Sequence, residues 1–269
     1  MPVTNRLYRG RVCSERPTTI DDVSYPPSEK IQKYGRANRI GRPMFYCCVG
    51  LFPVLFEIHA KAGNYIALSE WALSEPVWMH NLGYHPGALE KMGAAIPVER
   101  LPLINPIPYE TKRNSRLRRR MSLAFTKDVP EGLEYRSKET IAINELLFDR
   151  ASAIRPNSVG PAVPKMGGVA GTVYPSVQIR GLADNVAIRP EFVDRYLKIK
   201  SVQHIRIEAA DEERLIYTLV TVAHSRTFSD RTIIWDDQLL PDSERRTQVA
   251  FENGRWIFRD GSGRIYDAH

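Results

Sequence analysis

The sequence predicts an α+β protein, and three observations carry that prediction. Strand-length runs rich in β-branched and aromatic residues, bounded by turn residues, occur near the amino terminus and dominate the chain after residue 200. Two segments between them carry the apolar spacing of helices. Apolar residues at 43% and charged residues at 26%, with a mean hydropathy of -0.34, belong to a globular chain and exclude a disordered or collagen-like one. A length of 269 residues favours one main core with additions.

The first strand is expected at 7–13, followed by an arginine- and proline-rich loop up to residue 40 in which Tyr25-Pro-Pro-Ser marks a turn. Met44-Phe-Tyr-Cys-Cys-Val, bounded by Pro43 and Gly50, reads as a buried strand. Pro53 suits the first turn of a helix, because the N–H it lacks has no partner there. On that helix, expected over 53–62, Val54, Leu55, Ile58 and Ala62 share one apolar face. Glu57 then falls roughly 60° outside the Val54 edge of the stripe, where it could border a cleft.

From 63 to 107 tryptophans, prolines and glycines follow without sustained periodicity, so mixed loops and short elements are expected, with a helical turn at 87–93. Ser137-Lys-Glu-Thr opens a capped amphipathic helix carrying Ile141, Ile143, Leu146 and Leu147. Small residues at 155–171 mark a loop, and Thr172-Val-Tyr-Pro-Ser-Val-Gln-Ile reads as a strand that Pro175 places at an edge or a bend. Strands at 205–208, 215–223 and 232–235 precede a hairpin at 249–258, whose Asn253-Gly254 is a two-residue turn signal. These last strands extend the sheet or form a small subdomain.

Several function classes fall away. The apolar stretch 44–58 is interrupted by Gly50 and Pro53 and is too short to span a bilayer. The amino terminus lacks the order of a secretory signal, so the expected compartment is the cytoplasm and no membrane partner is expected. Adjacent Cys47 and Cys48, with Cys13, make a disulfide framework improbable. No Cys-x-x-Cys or His-Glu-x-x-His occurs, so no metal is expected. Gly261-Ser-Gly263 is too short for a dinucleotide fingerprint, and a P-loop Gly-Lys pair is missing. A net charge of +7 and a pI near 9.3 favour anionic partners without distinguishing a polynucleotide from a small molecule.

The most informative stretch is Gly35-Arg-Ala-Asn-Arg-Ile-Gly-Arg-Pro-Met-Phe-Tyr46. An arginine in a glycine-flanked loop can bring its guanidinium fork onto a phosphate or carboxylate, although Arg36, Arg39 and Arg42 also read as solvated loop residues. Lys112-Arg-Asn-Ser-Arg-Leu-Arg-Arg-Arg120 is the most basic segment; it lacks the interleaved aromatics of a nucleic-acid surface and reads first as a solvated face.

Taken together, Gly35-Arg36-x-Asn38, Gly41-x-Pro43, Tyr46, a helix bearing Glu57, and Gly171-x-x-Tyr174-Pro-Ser176 resemble the RES-domain family, named for its arginine, glutamate and serine. Leu7-Tyr-Arg9 is similar to the family's first strand, and 181–188 to the segment after its serine; the resemblance spans roughly 7–197. It implies an ADP-ribosyltransferase-like core of split or mixed sheets with flanking helices. It also implies an enzyme that consumes NAD as substrate, with no prosthetic group, by cleaving the nicotinamide–ribose bond; many members are the toxin of a toxin–antitoxin pair. On this reading 1–200 is the catalytic domain, with an insertion at about 63–110, and 201–269 is a β-rich extension packed on it.

The implied roles follow the chemistry. Bond cleavage leaves positive character on the ribose, which a carboxylate stabilises, and Glu57 is the candidate. Arg36 first and Arg9 second would hold the pyrophosphate. Tyr46 would stack on the cationic nicotinamide ring. Ser176 would hold the ribose or orient Glu57, and it reads otherwise as a turn cap; a nucleophilic role is disfavoured because no histidine or lysine is placed to activate it. Ala37 stands where the family often has an aromatic, which predicts a more open pocket on that side. An antitoxin protein and a second copy of the chain are the expected partners. The competing expectation is a non-enzymatic protein that binds nucleic acid or regulates through 112–120.

Overall fold

The computed structural model describes residues 6–94, 112–152, 168–236, 241 and 245–267. In chain order the elements are β1 (Arg6–Val12), α1 (Ile20–Val23), β2 (Phe45–Cys48), α2 (Pro53–Glu57), β3 (Tyr65–Leu73), β4 (Met79–Asn81), α3 (Pro86–Met92), α4 (Lys112–Phe125) and α5 (Lys138–Ser152). There follow β5 (Gly171–Pro175), β6 (Asp184–Ile188), α6 (Pro190–Tyr196), β7 (Leu197–Asp211), β8 (Ile216–Ser229), β9 (Thr232–Asp236), β10 (Arg246–Glu252), β11 (Arg255–Asp260) and β12 (Ile265–Asp267). The class is α+β. Among the described residues no helix is long and apolar enough to cross a membrane.

The chain divides into two compact units built from alternating segments. The first comprises 1–5, 25–49 and 73–197, and the second 6–24, 50–72 and 198–269. The strands after residue 200 therefore share a unit with the first strand and with the helix that bears Glu57.

In the first unit the strands run in the order β2-β6-β5-β4. β6 is antiparallel to both β2 and β5, and β4 runs parallel to β5. β5 is thus an interior strand. Pro175 is tolerated there because it is the last residue of the strand, paired with Asp184. Ala37, Met44, Leu82, Phe125, Tyr174 and Ala187 form a buried cluster, against which Tyr46 and Met121, Ile143, Leu147 and Phe148 of the long helices pack. The basic segment forms the first part of α4, and a 3-10 turn at Glu134–Ser137 leads into α5, which starts at Lys138, directly after Ser137.

In the second unit the order is β12-β11-β10-β8-β7-β3-β1, with β9 on β8. The Asn253-Gly254 turn forms with positive φ at both residues (51° and 79°), the geometry that suits a tight hairpin between twisted strands, and Glu252 pairs with Arg255 across it. β3 lies in the stretch expected to be irregular. Four consecutive residues, Ile66 to Ser69, are buried, so both of its faces are covered and the alternation that reveals a strand is lost. The helix expected over 53–62 stops at Glu57. The remainder of the expected insertion, 95–110, and most of the expected 155–171 loop lie outside the described residues.

Candidate functional site

In the first unit, Tyr46 on β2 organises the glycine–arginine loop. Its hydroxyl accepts the Ala37 N–H at 2.8 Å and donates to Asn38 Oδ1 at 2.8 Å. The Gly35 N–H donates to the Asn38 carbonyl at 3.0 Å, and Asn38 Nδ2 donates to the carbonyls of Lys33 and Arg39. A Cβ on residue 35 would lie 2.1 Å from Asn38 Oδ1 and 2.7 Å from the Tyr46 hydroxyl, so the loop closes only around glycine.

Arg36 leaves this loop toward α4. Its Nη1 donates to the Phe125 carbonyl at 2.8 Å and to the Lys127 carbonyl at 3.0 Å, which satisfies acceptors that the helix end leaves open. Its Cζ sits 5.9 Å from the centre of the Tyr174 ring. Nε and Nη2 make no hydrogen bond among the described residues, so three N–H donors of the fork are uncommitted. Ala37, expected to border a more open pocket, is instead buried in the cluster with Phe125 and Tyr174.

The third motif segment meets the same cluster. A Cβ on Gly171 would lie 2.1 Å from the Ala187 carbonyl of the neighbouring strand, so glycine permits the pairing of β5 with β6. Tyr174 packs with its ring centre 5.7 Å from that of Phe125. Ser176 is 0% exposed; its N–H donates to the Ala183 carbonyl and its Oγ accepts the Ile179 N–H at 3.4 Å. The hydroxyl therefore lies inside the turn after β5 rather than on a surface.

Two residues that sequence reasoning did not single out brace this turn. Buried Tyr84 donates to Asp184, the partner of Pro175 across the sheet. Burial, then the Asp184 carboxylate, push the Tyr84 hydroxyl well above its ordinary pKa, so it stays protonated and donating. A Cβ on Gly83 would lie 2.5 Å from Pro175 Cδ. Tyr84 and Gly83 fall in the aperiodic stretch, where only their proximity to a motif residue could have identified them.

The other two candidates belong to the second unit. Arg9 Nε donates to the Ser24 carbonyl at 3.1 Å, and the Arg9 carbonyl accepts from Ser69 Oγ on β3. At the next residue a Cβ would lie 2.3 Å from Val54 Cγ1 and 3.0 Å from Ile58 Cδ1, so Gly10 lets α2 settle on β1. Glu57, half-buried, is the last residue of α2. The helix ends there because His59 adopts φ 48° while the Ala60 N–H donates to the Leu55 carbonyl and the His59 N–H to the Phe56 carbonyl. That is a Schellman cap with histidine in the glycine position. The Tyr217 hydroxyl, bonded to the Ala60 carbonyl at 3.1 Å, fixes it further.

The structure thus groups Arg36, Tyr46 and Ser176 in one unit and Arg9 and Glu57 in the other. Within α4 the side chains of Arg116, Arg119 and Arg120 are exposed, as is Leu117 at 59%. Among the described residues no cluster of histidine, cysteine, aspartate or glutamate is placed to hold a metal ion. No family model, curated protein or solved structure matches the chain.

Proposed function

We propose that this protein consumes NAD by breaking its nicotinamide–ribose bond, on an ADP-ribosyltransferase-like core of the RES type. The observation that supports the reading is the meeting, in the first unit, of the Gly35 to Tyr46 segment with the Gly171 to Ser176 segment far along the chain. The uncommitted Nε and Nη2 of Arg36 are donors suited to two pyrophosphate oxygens, with Arg9 as a second cation. Tyr174, beneath the guanidinium, keeps the fork oriented.

The reaction asks little of the protein beyond electrostatics. The C–N bond breaks with its electron pair going to the nicotinamide nitrogen, so nicotinamide leaves neutral and the ribose carries oxocarbenium character. The Glu57 carboxylate stabilises that charge, and a water, phosphate or macromolecular nucleophile adds at the anomeric carbon and releases its proton. Tyr46 and Ser176 act on this reading by shaping the loop and turn that carry Arg36 and Tyr174. An antitoxin partner would neutralise such an activity in the cell.

The test is chromatography of nicotinamide and its co-product after incubation of the purified protein with NAD, with and without phosphate. Glu57→Gln is expected to slow release about 100-fold. Equal rates for Glu57→Gln and the parent would remove Glu57 from the mechanism, and absence of release from the parent under all conditions would remove the reading.

A further inference from the structure

The first unit also contains a cavity of about 660 Å³ whose lining does not include Arg36. Its size falls in the range of small-molecule pockets and is too small for a macromolecular groove. Lys91 at the end of α3, Lys127 just after α4 and Arg180 in the turn beyond Ser176 all line it. These three cations come from separate elements, so their convergence is not a by-product of one polar helix face. Among the described residues none of the three has an ion-pair partner. A fourth cation, Arg120, is 3.6 Å from Glu139, and both are exposed, so that pair is weak and readily exchanged. Asp128 and Glu139 also line the cavity, so four cations face two carboxylates, and apolar side chains, Met92 and Val177 among them, form part of the wall.

Two further features favour an anion there. Arg180 adopts φ 49°, a left-handed conformation that disfavours a residue with a side chain and costs glycine nothing. Strain of this kind persists where the side chain has a use that offsets it. The carbonyl end of α4 beside Lys127 would ordinarily repel an anion, but Arg36 already occupies its Phe125 and Lys127 carbonyls.

We infer that this cavity binds a diphosphate-bearing small molecule, with its phosphate oxygens on Lys91, Lys127 and Arg180 and its carbon skeleton against the apolar wall. The inference makes no use of the NAD reading, since none of the residues given a role in that reaction lines the cavity.

The test is calorimetric titration of the full chain with inorganic pyrophosphate at near-physiological salt. The parent is expected to show saturable binding of one equivalent, and the Lys127→Gln/Arg180→Gln double variant at least about tenfold weaker binding. Lys61→Gln/Lys198→Gln removes the same charge from exposed positions of the second unit and is expected to stay within about twofold of the parent. Arg180→Asn, whose side chain tolerates positive φ, gives an independent arm that remains folded and is expected to weaken binding as well. No saturable binding by the parent, an equal loss in both double variants, or unchanged binding in the cavity variants would each overturn the inference. Nicotinamide release, followed on the same proteins, reports separately on the NAD reading, so a protein that binds pyrophosphate without cleaving NAD loses only that reading.

Discussion

Replacing Tyr46 by phenylalanine removes one oxygen atom and keeps the ring, which separates two roles for this residue. The oxygen holds the Ala37 N–H and Asn38 Oδ1, each at 2.8 Å, and both residues are buried. Orphaning a buried amide costs about 1–3 kcal/mol. Asn38 loses a donor as well but keeps both Nδ2 bonds, so the total expected loss is about 2–3 kcal/mol. For a chain of this size that corresponds to a fall in Tm of roughly 4–12 °C. Differential scanning calorimetry measures it directly. The same protein, assayed for nicotinamide release below its transition, then reports on catalysis: a rate below the parent's is expected because the hydroxyl holds the loop that carries Arg36, whereas a rate near the parent's with Tyr46→Leu strongly impaired would assign the contribution to ring stacking instead. A Tm within about 1 °C of the parent would refute the claim that the hydroxyl holds the Gly35 to Asn38 loop.

Three further outcomes are expected. His204 is buried, stacked on Tyr65 with ring centres 5.2 Å apart, edge-on to Trp235, and neither ring nitrogen finds a hydrogen-bond partner among the described residues. Burial first, then the Arg16 charge, depress its pKa below 6.5, so its stability contribution is complete above that value and is lost as pH falls toward the lower folded value. Urea melts between about pH 7.5 and about pH 5 should show a decline that His204→Phe reduces, and parallel declines would contradict the assignment. His59→Gly relieves the left-handed strain of the cap and should raise stability by about 0.5–1 kcal/mol; a lower Tm would show that the imidazole contributes more than its backbone conformation costs. Gly171→Ala forces a Cβ against the backbone of β6 and should cost about 3 kcal/mol, whereas Gly132→Ala, which meets open space at φ 83°, should cost only about 1 kcal/mol by thermal melting.

The α+β class was legible in the sequence because strand and helix signals are local. The run at 44–49, the Asn253-Gly254 hairpin and the capped helix after Ser137 each depend on residues within one turn or one strand, and each forms, although the helix runs four residues past the expected Phe148 and the hairpin begins three residues before Val249. Local signals failed where burial or capping overrides periodicity. β3 is covered on both faces, so it shows no alternation. α2 ends five residues early because His59 takes a conformation that nothing in the residue type advertises.

Residue chemistry by itself marked Arg36 as a cation in a loop and Ser176 as a residue suited to capping a turn. The sequence by itself determined the kinds of element and the motif positions, since these are written in neighbouring residues. Only the tertiary structure decided that the last strands share a unit with β1 and α2, that Arg36 reaches a carbonyl 89 positions away, and that Gly10, Gly35, Gly83 and Gly171 stand where a single Cβ would collide. It also decided which cations line one cavity. Such facts depend on contacts between residues far apart in the chain, whose energies come from packing and desolvation and leave no mark on local spacing.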